Sequence, residues 1–329
     1  MTLLLGDADI RAVLGWRPAV DAVRAAYVTG DGPGHGARYP GRSIARGDGV
    51  WLRVLPGVPE DGGLMGAKII AGAPRAGRVS YLIALFDQAT TELVALLDGN
   101  SVTGYRTAAT SALAVDLLAV PGPLTVGVLG SGFEAGKHLR AIAAIRDITS
   151  ARVYSPRVAS RERFAAEAAD LSFPVTPAGS AEAAVASAAL VVCAARSHDE
   201  SPVLLGRWLT PGMTVVSVGS TVPEQREVDA ETITRADVII ADVVDEVLHE
   251  TGDLIAARAA GAEVDDRVGS LAGLVSGARG GRTDGEQIVL YKSVGSAVQD
   301  LAVAAMCARA AIGKGLGMGV EVPVGVVLK

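Results

Sequence analysis

The sequence contains few cysteines, histidines and aromatic residues. Its 329 residues include two cysteines and four histidines, and Phe, Trp and Tyr together account for 4%. Cys193 and Cys307 both lie in apolar stretches, which favours buried free thiols over a disulfide and predicts a reducing, cytoplasmic location. Because the histidines are scattered and no cysteine pair has the spacing of zinc ligands, we predict no metal site.

Long apolar runs and basic tracts are also missing from the sequence. The longest candidate for a membrane span, AAVASAALVVCAA (183–195), is too short to cross a bilayer. The first residues, MTLLLGDADIR, have none of the basic character of a signal peptide. A formal net charge of −6 without a basic tract argues against nucleic acid as a partner. We therefore expect a soluble protein that binds neither membranes nor nucleic acid.

The second part of the chain alternates between strand-like and helix-like segments. LTVGVLG (124–130) has the β-branched character of a buried strand, and EAGKHLRAIAAI (134–145) follows it with helical periodicity. Further apolar strands bounded by Gly, Pro or Asp are expected at 151–155, 189–195, 213–220 and 236–242. Strands that alternate with helices predict a parallel sheet covered on both faces. We therefore predict an α/β fold with a doubly wound Rossmann domain over residues 121–294.

The first part of the chain has a different pattern. A helix is predicted over 9–30, followed by strands at 49–56 and 64–72 and a hairpin at 80–99. A long helix over 101–119 leads into the linker Pro121-Gly122-Pro123. A last helix over 296–317 is expected to pack back on this first segment. The prediction is a discontinuous α+β domain made of residues 1–120 and 295–329.

A glycine-rich turn, GSGFEAG, follows the first strand of the predicted Rossmann domain. Gly130 allows the tight turn, Gly132 lets the backbone approach a pyrophosphate, and Ala135 permits close packing of helix on strand. The N–H groups at the start of the following helix favour a phosphate. The turn therefore predicts a dinucleotide site whose contacts are Gly130, Ser131, Gly132, Phe133 and Glu134.

The end of the next strand, VYSPR, bears on the choice of coenzyme. NAD-binding proteins usually have an acidic residue here to bind the ribose 2′-hydroxyl, whereas this chain has Ser155 followed by Arg157. A hydroxyl and a guanidinium bind a 2′-phosphate that a carboxylate would repel. We therefore predict NADP as the preferred coenzyme and NAD as the alternative. A further alternative is that these residues bind no coenzyme: Ser155 then caps the next helix, and Arg157 and Arg161 face solvent.

Five segments of the sequence carry a resemblance to a known family. They are GNSVTGYRTAATSALA (99–114), GSGFEAGKHL (130–139), GSTVPEQREVD (219–229), HETGDL (249–254) and YKSVGSAVQDLA (291–302). Together they resemble the ornithine cyclodeaminase/mu-crystallin family, and the resemblance runs along almost the whole chain. That family includes cyclodeaminases of ornithine and lysine, an alanine dehydrogenase, and ketimine and pyrroline-carboxylate reductases. The resemblance implies hydride chemistry at the α-carbon of an amino or imino acid and a homodimer joined through the first domain.

Two cations are the principal candidates for a substrate site. Arg106 is able to bind a carboxylate in a bidentate manner, and the family resemblance implies the same role. Lys68 lies in an apolar strand, where desolvation lowers the pKa of an ammonium and suits it to proton exchange. The resemblance also implies that Arg42 binds the substrate and that Thr107 contacts the cofactor. Further cofactor contacts are expected from Val218, Ser220, Ser293 and Val294.

The chain departs from the family pattern at two positions. Thr221 stands where cyclodeaminases have an aspartate, and a hydroxyl is no general base near neutral pH. We expect Thr221 near the reacting centre of a reductase. Arg53 stands near the acid that contacts the distal ammonium of ornithine, and it would favour a second carboxylate instead. Alternation along the strand places Arg53 on the same face as Trp51.

These features predict an NAD(P)-dependent imine reductase or amino-acid dehydrogenase that acts on the C–N bond of a small amino or imino acid. The first alternative is an ornithine or lysine cyclodeaminase. A second alternative, from another class, is a crystallin-like protein that binds NADP without turnover. The sequence leaves the substrate side chain, the direction of the reaction and the hydride face open.

Overall fold

The computed structural model describes residues 1–28, 38–195, 199, 201–321 and 325–327. The chain forms two compact units, and each contains one β-sheet. Unit 1 comprises residues 1–110 and 295–329, and unit 2 comprises residues 111–294. The first boundary falls within the helix Gly99–Leu118, whereas the sequence predicts it near the far end of that helix, at residue 120. No helix among the described residues has the length and apolarity needed to cross a membrane.

Helices contribute to both units. In unit 1 and at its boundary they are α1 (Asp7–Val13), α2 (Trp16–Val28), α3 (Gly99–Leu118) and α11 (Ala297–Lys314). In unit 2 they are α4 (Phe133–Ala143), α5 (Val158–Glu167), α6 (Ala181–Val185), α7 (Ala230–Arg235), α8 (Val244–Glu250), α9 (Gly252–Ala259) and α10 (Leu271–Ser276).

Unit 1 contains a seven-stranded mixed sheet in the order β15-β1-β6-β5-β4-β3-β2. Strand β1 runs parallel to β6, and every other pair is antiparallel. The side chains alternate as expected for a sheet with one covered face, since Leu55, Ile83 and Leu97 are buried and Leu52 and Leu82 are exposed. The strands are β1 (Thr2–Leu5), β2 (Ser43–Gly47), β3 (Val50–Gly57), β4 (Leu64–Ala73), β5 (Arg78–Asp87), β6 (Leu93–Asp98) and β15 (Met318–Val320).

The helix predicted over 9–30 is wrong in one respect, because the structure has two helices, α1 and α2. At the end of α1, the N–H of Leu14 donates to the carbonyl of Ile10. At the start of α2, the N–H of Ala19 donates to the carbonyl of Gly15. Pro18 lacks an N–H group and would clash inside a continuous helix. The break places Pro18 in the first turn of α2, where proline is tolerated.

Unit 2 contains an eight-stranded sheet in which every pair is parallel, in the order β13-β12-β14-β11-β10-β7-β8-β9. The chain forms β7, β8 and β9 in succession, then crosses to β10 on the other side of β7. This reversal is the topological switch point of a doubly wound sheet, and it confirms the predicted doubly wound Rossmann fold. The strands are β7 (Leu124–Leu129), β8 (Ile148–Tyr154), β9 (Val175–Pro177), β10 (Leu190–Cys193), β11 (Thr214–Ser217), β12 (Val238–Ala241), β13 (Val268–Ser270) and β14 (Val289–Lys292).

Candidate active site

The glycine turn begins directly after β7, at the switch point of the sheet. Gly130 has a φ of 111°, a conformation that favours glycine. A Cβ atom there would lie 2.5 Å from the carbonyl oxygen of Ala194, which follows β10. The N–H of Gly130 donates to the carbonyl of Tyr154 over 2.9 Å. Glycine is therefore required here by backbone conformation and by the closeness of the neighbouring strand.

The start of α4 has the properties of a phosphate site. Gly132 is the N-cap of the helix, and a Cβ atom built on it has no heavy atom within 4 Å. The N–H of Gly136 donates to the carbonyl of Gly132 over 3.3 Å, so Phe133 and Glu134 lie in the first turn of the helix, at the positive end of its dipole. Ala135 is fully buried against the sheet. These residues fit the pyrophosphate of a dinucleotide, with the backbone of Ser131 and Gly132 open to it.

At the end of β8, the chain presents a hydroxyl and two arginines. Ser155 is half-buried, and Arg157 is the exposed N-cap residue of α5. Arg161 donates to the carbonyl of Ser155 over 3.3 Å, and its guanidinium lies 5.5 Å from the ring centroid of Tyr154. This strand end therefore carries positive charge where NAD-binding proteins usually carry a carboxylate.

In unit 1, a buried ionic group joins β4, α3 and α11. The ammonium of Lys68 lies 2.7 Å from each carboxylate oxygen of Asp300. The Nε of Arg106 lies 2.8 Å from the same carboxylate. The exposed fractions are 2% for Lys68, 6% for Arg106 and 0% for Asp300. We call these three side chains the Lys68 cluster; two are cationic and one is anionic.

Burial lowers the pKa of Lys68 from 10.5 to about 8. Loss of hydration is the largest cause, and the positive charges of Arg106 and Arg53 act in the same direction. Asp300 opposes them and raises the pKa. The lysine therefore remains mostly protonated at neutral pH and releases its proton more readily than an exposed lysine.

Gln299 and Gly295 both lie close to the Arg106 guanidinium. The Nη1 of Arg106 donates to Oε1 of Gln299 over 2.7 Å, and Nε2 of Gln299 donates to the hydroxyl of Tyr27 over 2.9 Å. Gly295 has a φ of 84°, and a Cβ atom there would lie 2.6 Å from both terminal nitrogens of Arg106. The close approach of backbone and guanidinium therefore depends on glycine at this position.

The other predicted substrate residues of unit 1 lie on or beside the same sheet. Leu55 pairs with Lys68 across β3 and β4, and Arg53 lies two residues away on the same face. The half-buried Arg53 guanidinium is 5.3 Å from the ring centroid of Trp51. Arg42 is half-buried in the loop before β2.

The predicted cofactor residues of unit 2 follow neighbouring strands. Val218 and Ser220 follow β11 and are buried, and the hydroxyl of Ser220 donates to the carbonyl of Gln225 over 2.6 Å. Ser293 and Val294 follow β14, where the hydroxyl of one and the N–H of the other donate to Asp242. These carboxyl-terminal strand ends form the edge at which doubly wound sheets bind their ligands.

Two further threonines occupy defined positions. Thr107 is half-buried on α3 in unit 1, and its hydroxyl donates to the carbonyl of Thr103 over 2.7 Å. Thr221 is half-buried in the loop after β11 in unit 2, where its N–H donates to Oε1 of Gln225 over 3.3 Å.

Sequence reasoning missed Asp300, Gln299 and a second buried ionic group. In unit 2, the ammonium of Lys292 lies 2.8 Å from Asp253, and Glu227 is buried with them. Asp300 was detectable in the sequence, because it is an isolated acid in the apolar helix AVQDLAVAA. A buried carboxylate in such a helix requires a partner of opposite charge or a hydrogen-bond donor. We call Glu227, Asp253, Lys292 and Ser217 the Glu227 cluster.

The fold and these two groups define a class, a two-unit α/β protein with a Rossmann dinucleotide fold and a buried cationic cluster. The chain belongs to the ornithine cyclodeaminase/mu-crystallin family, whose sequence pattern matches residues 41–315. This membership confirms the resemblance drawn from the five sequence segments.

Relatives and solved structures agree with this assignment. The ketimine reductase mu-crystallin of Mus musculus is 31% identical over 68% of this chain and 66% of its own length. A Δ1-pyrroline-2-carboxylate reductase of Bacillus cereus is 29% identical over 82% of this chain and 84% of its own length. The structure of the Δ1-pyrroline-2-carboxylate reductase of Thermococcus litoralis with NADH and L-proline matches with a TM-score of 0.89 and 27% identity, over 97% of this chain and 100% of that chain.

Proposed function

We propose that this protein is an NAD(P)-dependent reductase that acts on the C=N bond of a small imino acid, and in reverse on the corresponding amino acid. The observation that carries the proposal is the Lys68 cluster, in which two buried cations share one carboxylate. A substrate carboxylate would balance the remaining positive charge. The glycine turn of unit 2 supports a dinucleotide coenzyme, and relatives named as imino-acid reductases support the reaction.

Each cation has a separate task in this proposal. Arg106, held by Asp300 and Gln299, binds the substrate carboxylate and orients the imine carbon. Lys68 is protonated below its pKa of about 8 and gives a proton to the imine nitrogen. The nicotinamide, when bound, supplies the hydride for the α-carbon. One hydride and one proton convert the C=N bond to an amine.

The preferred coenzyme in this proposal is NADPH. Ser155, Arg157 and Arg161 lie at the end of β8 and provide a hydroxyl and two positive charges for a 2′-phosphate. Titration of both coenzymes tests the preference, and tighter binding of NADH would contradict it. The double change Arg157→Ala with Arg161→Ala is expected to weaken NADPH much more than NADH.

A reductase fits the residues better than a cyclodeaminase. Thr221 carries no carboxylate to deprotonate an amine, and Arg53 would repel the distal ammonium of ornithine or lysine. An imine, by contrast, arrives ready to accept hydride and needs only a proton donor. The preferred substrate is therefore neutral or acidic in its side chain.

The proposed assembly is a homodimer formed through the outer face of the unit 1 sheet. That face is apolar, with Val54, Ile69 and Leu82 in one row across β3, β4 and β5. Leu52 and Leu82 are 44% and 40% exposed, which is unfavourable on a surface that faces water. Light scattering of Leu52→Glu with Leu82→Glu is expected to show a monomer, while the control Ile255→Glu in unit 2 remains a dimer.

A substrate panel tests the proposed activity directly. The panel combines 2-oxo acids with ammonia or methylamine, adds cyclic imines, and follows the consumption of NADPH. Consumption with an imino acid is the expected result. Release of ammonia from ornithine or lysine without net change in the coenzyme would indicate a cyclodeaminase, and coenzyme binding without turnover on any panel member would indicate a binding protein.

We place this reaction in a reducing cytoplasm. Cys193 and Cys307 are free and buried, which agrees with such a compartment. Burial raises the pKa of the Cys307 thiol to about 12, so this thiol is inert in the proposed chemistry. Fractionation of the native host cell, with detection of the protein in each fraction, tests this location.

A further inference from the structure

The Glu227 cluster connects the ends of three adjacent strands of the unit 2 sheet. One carboxylate oxygen of Glu227 accepts the N–H of Ala195, which follows β10, over 2.9 Å. The other oxygen accepts the N–H of Gly219, which follows β11, also over 2.9 Å. The ammonium of Lys292, at the end of β14, donates to the carbonyl of Ser220 over 2.8 Å. A single buried group therefore fixes the backbone at all three strand ends.

Internal hydrogen bonds fix the orientation of the cluster. The ammonium of Lys292 donates to the Ser217 hydroxyl over 3.0 Å, and this hydroxyl donates to Glu227 over 2.7 Å. Asp253 accepts the N–H groups of Glu227 and Val228 over 2.7 and 3.1 Å. Because the hydroxyl carries only one hydrogen, the ammonium on one side directs that hydrogen toward Glu227. The arrangement requires Glu227 to act as an acceptor.

Gly219 shows how tightly Glu227 holds the loop after β11. A Cβ atom at Gly219 would lie 2.3 Å from Oε1 of Glu227 and 2.3 Å from the carbonyl oxygen of Ala195. No other residue type allows the carboxylate to approach both strand ends at once. The same loop carries Val218 and Ser220, and the loop after β14 carries Ser293 and Val294, four of the proposed cofactor contacts.

We propose that Glu227 is a positioning residue for the coenzyme: as a carboxylate it holds Ala195 at the end of β10 and the loops after β11 and β14 in the conformation that binds the nicotinamide half, and on protonation it releases them. The inference rests on the proposed dinucleotide site. Two backbone N–H groups and one hydroxyl donate to this carboxylate. Protonation weakens its oxygens as acceptors and adds a hydrogen that needs an acceptor of its own, where the neighbours are donors.

The environment of Glu227 places this protonation near neutral pH. The pKa of Glu227 is raised from 4.5 to about 7; burial is the largest cause and Asp253 acts in the same direction, whereas Lys292, Ser217 and Gly219 act against them. Cys193 also faces this carboxylate, and burial raises the pKa of its thiol well above the ordinary value, so the thiol stays neutral. Coenzyme binding is therefore expected to weaken as the pH falls from about 8 to about 6.

The test is fluorescence titration of NADH into wild type and Glu227→Gln across that pH range. NADH is the probe because the 2′-phosphate of NADPH itself titrates near about pH 6. Wild type is expected to lose affinity about tenfold on acidification, the size expected for lost hydrogen bonds to a charged group. Glu227→Gln is expected to bind about tenfold more weakly than wild type at about pH 8 and to show no such pH dependence.

Two controls separate positioning from folding. Glu182→Gln changes an exposed carboxylate of the same unit and is expected to bind like wild type at every pH. Ser217→Ala removes the bridge between Lys292 and Glu227 without a change of charge, and is expected to shift the midpoint of the pH dependence. Circular dichroism confirms that each variant is folded.

The outcomes are distinguishable. NADH affinity of wild type that is constant between about pH 6 and pH 8 would overturn the inference, even if Glu227→Gln did not fold. A folded Glu227→Gln variant with the affinity and pH dependence of wild type would also overturn it. Failure of wild type to bind either coenzyme would overturn the proposed function and this inference together.

Discussion

The two buried ionic clusters have opposite compositions. The Lys68 cluster of unit 1 contains two cations and one carboxylate, whereas the Glu227 cluster of unit 2 contains two carboxylates and one ammonium. In each cluster, burial disfavours the charged form of one residue that belongs to the more numerous charge type. The pKa of Lys68 falls to about 8, and the pKa of Glu227 rises to about 7. Both groups therefore titrate much closer to neutral pH than they would in water.

The clusters differ in how the excess charge is balanced. The excess carboxylate of the Glu227 cluster is satisfied inside the protein, by backbone N–H groups of Ala195 and Gly219. In the Lys68 cluster, Lys68 and Arg106 both pair with Asp300, and Arg106 also donates to the neutral amide of Gln299. A buried charge is tolerated when a partner compensates it. The Glu227 cluster therefore organises the protein's own backbone, whereas the proposed role of the Lys68 cluster is to bind an external anion, the substrate carboxylate.

Removal of Arg106 is expected to have the largest effect. Arg106→Ala deletes the proposed carboxylate ligand and leaves Asp300 with a single cation, so kcat/KM is expected to fall by about 100-fold or more. Steady-state kinetics with the best imino acid from the panel measure this. Arg75→Ala is the matched control, because Arg75 is exposed and pairs with the exposed Asp48. An Arg106→Ala enzyme with wild-type kcat/KM would remove Arg106 from the substrate site.

Asp300→Asn tests whether the carboxylate sets the titration of Lys68. Asp300 raises the pKa of Lys68, so its loss is expected to move that pKa below about 8. If protonated Lys68 is the proton donor, the loss of rate at high pH then begins at a lower pH, and kcat/KM falls about tenfold. The measurement is the pH profile of kcat/KM. An unchanged alkaline limb would exclude Lys68 as the titrating donor.

Gly295→Ala is expected to have a smaller effect. A Cβ atom at this position meets the Arg106 guanidinium and has to displace it, so KM for the imino acid rises several-fold, about 2 to 10 times. Gly77→Ala is the matched control, because Gly77 also has a positive φ, of 63°, but no atom within 4 Å of the added Cβ. Equal KM values for the two variants would show that backbone strain alone accounts for the change.

The smallest expected effect concerns stability. The folded-state pKa of Glu227 lies above its ordinary value, so its contribution to stability is fully present below about pH 4.5 and is lost as the pH rises through about 7. Glu227→Gln removes this titration, and the difference in Tm between about pH 5 and pH 8 should shrink by a few °C. A calorimetric Tm difference identical to that of wild type would contradict the raised pKa.

The sequence predicted the features that depend on local order. The glycine turn, the strand before it and the helix after it are neighbours in the chain, and their spacing predicted the structure found around Gly130. The pair of Lys68 and Asp300 is separated by 232 residues, and only the fold brings these side chains together. Strands β1, β9, β13 and β15 have three or four residues each, too few for a periodic pattern.

The Glu227 cluster could not be predicted from the sequence for a related reason. Ser217 and Lys292 lie at the ends of different strands, Asp253 lies on α9, and Glu227 lies in the segment between β11 and α7. None of them stands in a run that indicates burial of charge. Lys292 and Asp253 belong to segments that resemble the family, yet their pairing follows from the order of the strands in the sheet. Polar residues at strand ends therefore need the topology before a role can be given to them.

The most direct test of the proposed reaction is isotopic. The protein is incubated with NADPH deuterated at C4 of the nicotinamide and with the imino acid that the panel identifies, and the amino-acid product is examined by mass spectrometry. The account predicts one deuterium at the α-carbon of the product, transferred from one face of the coenzyme. An amino acid formed without deuterium from either face, or no reduction of any imino acid in the panel, would contradict it.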